Sequence, residues 1–357
     1  MNDEFYMKRA LILAAKARYS TSPNPMVGAL LVKDGRIISE DFHKRPGTPH
    51  AEALAIEKAG KDAQGSILYI NLEPCCHTDK RTPPCTKAII NASIKEVVIG
   101  MADPNTMVSG KGILELQNAG IKVRSGILER EAKKLNEAYI KYITTGKPFV
   151  ILKIAMTLDG KIATPEGQSQ WITSEKSRRL VHRLRSSVDA VITAIGTIKA
   201  DNPELTARIK AGKNPKRIII DPNLEIAMNA KVLQVPPETI LVTRIENNKS
   251  NNIEKSGAKI LYFKEKLDLN WLMEKLGQKE ISTALIEGGS SLNAHALEEG
   301  IVDKVMVFIA PKIIGGRESF PAVGGKSFKQ LEEAFRLKDI KIRRIGEDIL
   351  IEGYIDK

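Results

Sequence analysis

Short apolar runs alternate with amphipathic stretches along almost the whole chain, and one break interrupts the series, at Thr144-Thr145-Gly146-Lys147-Pro148. Strand-length runs alternating with helix-length ones point to α/β units built on mainly parallel sheets. A chain of 357 residues holds about two domains at roughly 150 residues each. The break therefore divides the chain into domains 1–146 and 147–357. In the first, helices are expected over 4–19, 50–60, 112–119 and 128–144, with another starting near Cys85. Its strands are expected over 27–33, 37–42, 67–72, 96–101 and 121–123. In the second, strands are expected over 149–156, 190–194, 217–220, 240–242, 259–263, 283–286, 304–310 and 349–354. Its helices are expected over 175–185, 269–276 and 291–299, and the polar stretch 247–252 reads as an exposed turn.

Composition narrows the function classes. An apolar fraction of 42% with 27% charged residues excludes a disordered or collagen-like chain. The formal net charge of +12 is spread over both parts, with no block of like charges that would form a nucleic-acid arm. Aromatic residues make up 5%, sparse for stacking on single-stranded bases. A diffuse basic surface suits an anionic small substrate. The apolar stretch after Lys8-Arg9 is cut short by Lys16 and Arg18, so it reads as an amphipathic first helix, and the expected location is cytoplasmic.

The soft metal ligands are concentrated. Cys75, Cys76 and Cys85 are the only cysteines, and His43, His50 and His77 lie in the same quarter of the chain. An odd count with two adjacent thiols argues against a disulfide framework. His50-Ala51-Glu52, then Pro74-Cys75, then Pro84-Cys85, offers one imidazole and two thiolates to a zinc ion. Three protein ligands leave a fourth position for water, whose pKa the metal lowers toward ~7. Glu52 is then available to move protons, and His-x-Glu with a later Pro-Cys is the pattern of zinc nucleobase deaminases. Both cysteines are expected near helix N-termini, where the dipole favours thiolate. Cys76 and His77 stand as rival ligands, and a purely structural zinc site as the rival use of the cluster.

With these residues the sequence resembles the bifunctional riboflavin-biosynthesis deaminase/reductase family. The resemblance rests on Pro23-Asn24-Pro25-Met26-Val27-Gly28, His50-Ala51-Glu52-Ala53, and Glu73-Pro74-Cys75-Cys76-His77 with Thr82-Pro83-Pro84-Cys85. Asp103-Pro104-Asn105 and Gly110-Lys111-Gly112 add to it. The resemblance implies a cytidine-deaminase-like three-layer domain with His50, Cys75 and Cys85 on Zn2+ and Glu52 as the catalytic proton carrier. It further implies that Asn24, His43, His77, Arg81, Asp103 and Asn105 hold the pyrimidine and its phosphate.

In the second part no Gly-x-Gly-x-x-Gly follows a strand, so the common dinucleotide fingerprint is absent. Ile286-Glu287-Gly288-Gly289-Ser290-Ser291 nevertheless lies between a strand and a helix, where bare N–H groups can hold a phosphate. Further matches to the same family are Lys153-Ile154-Ala155-Met156-Thr157-Leu158-Asp159-Gly160-Lys161, Ser169-Gln170-Trp171-Ile172-Thr173, Arg183-Leu184-Arg185, Gly196-Thr197 with Asp201-Asn202-Pro203, and Leu205-Thr206-Ala207-Arg208. They imply a dihydrofolate-reductase-like α/β domain that binds NADPH along Ala155, Trp171, Thr197, Asp201, Thr243 and Gly289. Ser169, Arg185, Leu205, Arg208 and Glu287 would hold the substrate, with Arg185 and Arg208 as phosphate clamps.

The activity implied is hydrolytic deamination of 2,5-diamino-6-(5-phosphoribosylamino)pyrimidin-4(3H)-one, followed by NADPH-dependent reduction of the ribose of 5-amino-6-(5-phosphoribosylamino)uracil to a ribityl chain. The alternative is a nucleoside or RNA deaminase with an unrelated second domain. The expected partners are phosphorylated pyrimidines, with no nucleic acid and no membrane, and self-association into a homo-oligomer stays open.

Overall fold

The computed structural model describes residues 2–77, 83–210 and 212–356. The chain forms two compact units, Met1–Gly146 and Lys147–Lys357.

The first unit runs α1 (Asp3–Ala15), β1 (Gly28–Lys33), β2 (Arg36–Phe42), α2 (Ala51–Ala59), β3 (Ile67–Leu72), α3 (Cys85–Asn91), β4 (Glu96–Met101), α4 (Lys111–Asn118), β5 (Lys122–Ser125), α5 (Glu129–Leu135) and α6 (Glu137–Thr145). Its sheet has the order β2-β1-β3-β4-β5. The β1 pairings are antiparallel, and β3-β4 and β4-β5 are parallel. Alternation along β1 builds three layers. Leu30 and Val32 pack with Met7, Ala10 and Leu13 of α1. Ala29 and Leu31 pack with Ala51 and Ala55 of α2 and Ile89 of α3 on the other face. Because β1, β3 and β4 are covered on both faces, they read in the sequence as near-continuous apolar runs.

The second unit runs β6 (Phe149–Thr157), β7 (Lys161–Ala163), α7 (Glu175–Ser186), β8 (Ala190–Ala194), α8 (Ile195–Asp201), β9 (Lys216–Ile220), α9 (Lys231–Gln234), β10 (Thr239–Thr243), α10 (Asn248–Lys255), β11 (Lys259–Tyr262), α11 (Leu269–Gly277), β12 (Thr283–Ile286), α12 (Ser290–Glu298), β13 (Lys304–Ala310), β14 (Phe320–Pro321), β15 (Leu337–Ile345) and β16 (Asp348–Ile355). Its nine-stranded sheet has the order β11-β10-β9-β8-β12-β6-β13-β16-β15. All pairings from β11 to β13 are parallel, and β16 and β15 join antiparallel. Val150, Leu152 and Ile154 of β6 share one core with Leu272 and Leu276 of α11 and Leu292 and Ala296 of α12. In an open parallel sheet, ligands bind beyond the carboxyl ends of the strands where the strand order reverses. Here β12 inserts between β8 and β6, so that place is the ends of those three strands.

Two expectations need correction, and two elements were not expected. The single helix expected over 128–144 is broken at Asn136, whose backbone (φ −103°, ψ 21°) is not helical. The Asn136 amide instead clamps the Met26 backbone, accepting from its N–H at 2.8 Å and donating to its carbonyl at 3.0 Å. The polar stretch 247–252 is the start of α10, because Asn247 and Ser250 form a reciprocal capping box. Strand β8 leads directly into helix α8, which the pattern of apolar runs did not suggest. The charged stretch that forms β15 escaped notice: it is an edge strand, largely exposed, where lysines and arginines alternate with Ile340 and Ile342.

Candidate active sites

In the first unit, three secondary-structure boundaries meet. His50 is the N-cap residue of α2, Cys75 lies in the segment after β3, and Cys85 is the first residue of α3. Only Cys85 therefore sits at a helix N-terminus, and the expectation that Cys75 does also is corrected. The Nδ1 atom of His50 is 3.5 Å from the Cys75 sulfur and 3.2 Å from the Cys85 sulfur. All three ligand atoms lie within 4.8 Å of one another. A tetrahedral zinc with Zn–S of ~2.3 Å and Zn–N of ~2.0 Å separates nitrogen from sulfur by roughly 3.5 Å, so the donor set fits such an ion. Cys76 is outside this group.

Glu52, in the first turn of α2, is buried, and its Oε2 has no hydrogen-bond partner among the described residues. Burial raises its carboxyl above the ordinary range, and Cys75 adds to the rise. A buried carboxyl with one unpartnered oxygen beside three ligand atoms is able to take up and release a proton there.

His43 follows β2 and is buried, with its ring centroid 5.1 Å from that of His50. Its Nδ1 lies 3.3 Å from the Pro49 carbonyl, which requires the proton there. Nε2 then accepts from the Asn24 amide at 3.1 Å. Burial lowers the His43 pKa, with His50 contributing, which keeps the ring neutral. The half-buried His77 has an Nδ1 without a partner among the described residues. Asp103 accepts from the Asn105 N–H and the Tyr139 hydroxyl, both at 2.9 Å. Burial pushes Asp103 up to about 6 against those two bonds. Arg81 lies outside the described residues.

Sequence reasoning missed Glu73, which is buried and accepts three backbone N–H groups: Asp103 at 3.1 Å, Gly110 at 3.0 Å and Ile113 at 3.2 Å. It ties the segment leading to Cys75 to the one bearing Asp103. A Cβ at Gly112 would sit 2.2 Å from the Pro74 carbonyl, so only glycine permits this approach. Tyr139 was missed as well, because its tie to Asp103 spans 36 positions.

In the second unit, Glu287 and Gly289 follow β12, Thr197 lies in α8 after β8, and Ala155 is on β6. Glu287 takes a two-pronged contact from Arg185, at 2.5 Å and 3.0 Å, with Lys153 of β6 at 3.5 Å. Burial alone would raise Glu287, but Arg185 and Lys153 outweigh it and hold its carboxyl at about 2. Arg185 also donates to the Thr206 carbonyl at 3.2 Å. Its fork is engaged with a buried carboxylate, so the pair rather than Arg185 alone faces whatever binds there. Arg208 is half exposed and has only a loose contact to Glu204 at 3.4 Å. Leu205 is buried.

Asp201 accepts from Ser169 at 3.3 Å and from Gln170 at 3.2 Å, which brings two of the expected residues together. Trp171 is 61% exposed, with the Arg178 guanidinium 4.4 Å from its ring centroid. A Cβ on Gly289, the N-cap residue of α12, would meet nothing within 4 Å, so that helix end is open. Thr243 closes β10, and its hydroxyl is engaged locally, donating to the Pro222 carbonyl at 3.2 Å and accepting from the Ile245 N–H at 3.2 Å. Lys153 was missed by sequence reasoning, although its charge inside an apolar strand was the available signal.

Residues 1–101 match the family of the cytidine and deoxycytidylate deaminase zinc-binding region, and residues 148–351 match the RibD C-terminal domain. The chain is 44% identical to the riboflavin biosynthesis protein RibD of Aquifex aeolicus over 351 residues, covering 98% of this chain and 97% of that one. The chain belongs to the RibD family. RibD of Escherichia coli is 39% identical, over 98% of this chain and 99% of its own length. The RibD structure from Acinetobacter baumannii (form 1) matches with a TM-score of 0.92 at 36% identity, over 99% of both chains. The deaminase/reductase structure from Thermotoga maritima matches with a TM-score of 0.89 at 38% identity, again over 99% of both.

Proposed function

We propose that the chain carries both RibD reactions, one in each unit: the first deaminates a phosphoribosylated diaminopyrimidine, and the second reduces the ribose of the deaminated product with NADPH. The observation that carries this reading is the meeting of His50 Nδ1, Cys75 Sγ and Cys85 Sγ beside the buried Glu52 carboxyl, whose Oε2 has no partner among the described residues. His50, Cys75 and Cys85 hold zinc, which supplies Lewis acidity and lowers the pKa of a water toward neutrality. Glu52 carries a proton to the ring nitrogen and then to the departing ammonia. Neutral His43, fixed by Asn24 and Pro49, together with His77, Asp103 and Asn105, orients the pyrimidine. Arg81 takes the phosphate by charge and fork geometry.

In the reductase unit, Ala155, Trp171, Thr197, Asp201, Thr243 and Gly289 line the cofactor, with the open end of α12 suited to a phosphate. The cofactor supplies the hydride, so the protein's task is to position and polarise. Ser169, Leu205, Arg208 and the Arg185–Glu287 pair hold the substrate. Glu287, anionic at neutral pH, accepts from sugar hydroxyls, and Arg208 meets the phosphate.

No helix among the described residues is long and apolar enough to cross a membrane. A cytoplasmic location and small-molecule rather than nucleic-acid partners complete the reading, with self-association left open. The test is turnover of the diaminopyrimidine ribotide by the full chain. Ammonia release without NADPH, followed by NADPH oxidation only after ammonia release, supports it. NADPH oxidation that does not depend on prior deamination overturns the coupling of the two sites.

A further inference from the structure

Arg217, on β9, is 1% exposed, yet it pairs with backbone rather than with a carboxylate. Its Nη1 donates to the Glu204 carbonyl at 3.2 Å, and its Nη2 donates to the carbonyls of Val235 and Pro237. Its Nε has no partner among the described residues. Burial lowers the guanidinium to about 10, with the Glu204 carboxylate opposing the fall, so the charge persists at neutral pH. A charge is costly to bury, and this one is devoted wholly to gripping main chain.

Of the two segments it grips, 235–237 and the one around Glu204, the second is itself unusual. Asn202, Leu205 and Arg208 have φ of 41°, 56° and 51°, the left-handed region that side chains other than glycine rarely adopt. Such conformations persist where the surroundings over-determine them, and they cluster at ligand clamps. Within the segment, Thr206 and Arg208 make only loose contacts to the Glu204 carboxylate, each at 3.4 Å, and the shorter ties come from outside it. The Thr206 carbonyl accepts from Arg185 at 3.2 Å and lies 3.3 Å from Nδ1 of His182. The Ala207 N–H donates to Asn214 at 2.9 Å, and the Asn202 side chain accepts from the Lys231 N–H at 3.0 Å. The Glu204 carbonyl belongs to the peptide plane about which the φ of Leu205 is measured. Fixing that oxygen fixes the plane from which Leu205 turns.

We propose that Arg217 is a positioning residue of the reductase: through the Glu204 carbonyl it holds the strained 202–208 segment so that Leu205 and Arg208 present a preformed clamp to the phosphorylated substrate. The proposal rests on the reading of Leu205 and Arg208 as substrate contacts. Losing the anchor disorders the clamp before binding, and the cost appears in substrate affinity.

The experiment compares full-length Arg217→Met, Arg217→Lys, Asn214→Ala and Arg208→Ala. For each it measures reductase KM and kcat on the deaminated substrate, NADPH affinity by fluorescence titration, unfolding of the second unit by the fluorescence of Trp171 and Trp271 as the control of its folding, and deaminase kinetics as a control on the first unit. Arg217→Met is expected to raise reductase KM about tenfold or more, with NADPH affinity and deaminase KM unchanged, and Arg217→Lys is expected to recover part of the loss. Should Arg217→Met fail to fold, Asn214→Ala, which releases only the Ala207 tie, is expected to raise KM in the same selective way. If the folded variants keep KM within about twofold while Arg208→Ala raises it, the anchor is refuted and the clamp stands. If Arg208→Ala also leaves KM unchanged, the clamp reading falls and the anchor with it.

Discussion

Replacing Asp103 with asparagine is expected to stabilise the deaminase unit at neutral pH while weakening substrate binding. Asp103 is 6% exposed, and burial pushes it up to about 6. In an unfolded chain the same group titrates near ~3.9. Its folded pKa lies above the unfolded one, so the folded state holds the proton more tightly. That advantage is complete below pH ~4 and is lost as the pH rises through ~6. Asparagine keeps the acceptor oxygen that serves Asn105 and Tyr139 but never pays for ionisation. The gap of about 2 pKa units is worth ~3 kcal/mol at pH 8 and ~1.5 kcal/mol at pH 5. For a unit of this size ~3 kcal/mol corresponds to a rise in Tm of roughly 10 °C. Calorimetry at the two pH values reads the difference. Trp171 and Trp271, the only tryptophans, both lie in the second unit, so their fluorescence identifies that unit's transition separately. If Asp103→Asn is no more stable relative to the parent at pH 8 than at pH 5, burial is not what raises the carboxyl and the reasoning fails.

Two further outcomes follow from the same geometry. Glu52→Gln keeps the three metal ligands and is expected to retain zinc by elemental analysis while deaminase kcat falls by about 10²–10⁴; undiminished ammonia release would assign the proton transfer elsewhere. Arg185→Ala leaves Glu287 buried with only Lys153 beside it, and unfolding in urea, followed by tryptophan fluorescence, should show a loss of about 3–5 kcal/mol. Because the folded pKa of Glu287 is depressed to about 2, the parent's advantage over that variant is present above pH ~4.3 and shrinks as the pH falls toward 2.

Much of the fold was legible because the local signals and the global arrangement agree. The runs 67–72, 96–101, 190–194, 283–286 and 304–310 are strands to the residue, since each is mostly buried and mostly apolar. The break at Asn136 was not legible, because its cause is Met26, 110 positions away. The helix at 248–255 was hidden by its polarity, and only the cap at Asn247 marks its start.

The sites divide along the same line. His50, Cys75 and Cys85 are named by chemistry that few residue types can perform, and the fold brings their ligand atoms together. Glu73, Lys153, His182 and Arg217 act through backbone groups or through partners distant in sequence. Only Lys153, a charge inside an apolar strand, carries a local sign of its role. Arg185 shows the converse. Its residue type suggested a phosphate clamp, and its pairing with Glu287, 102 positions away, was not legible.

The claim on which the rest depends is that His50, Cys75 and Cys85 hold a zinc ion that serves the first reaction alone. Elemental analysis of the purified chain, before and after exhaustive chelation, with both half-reactions assayed on the same samples, tests it most directly. The account expects about one zinc per chain, ammonia release that disappears with the metal and returns with added zinc, and undiminished NADPH oxidation on substrate supplied already deaminated. Full ammonia release from metal-free protein would contradict it.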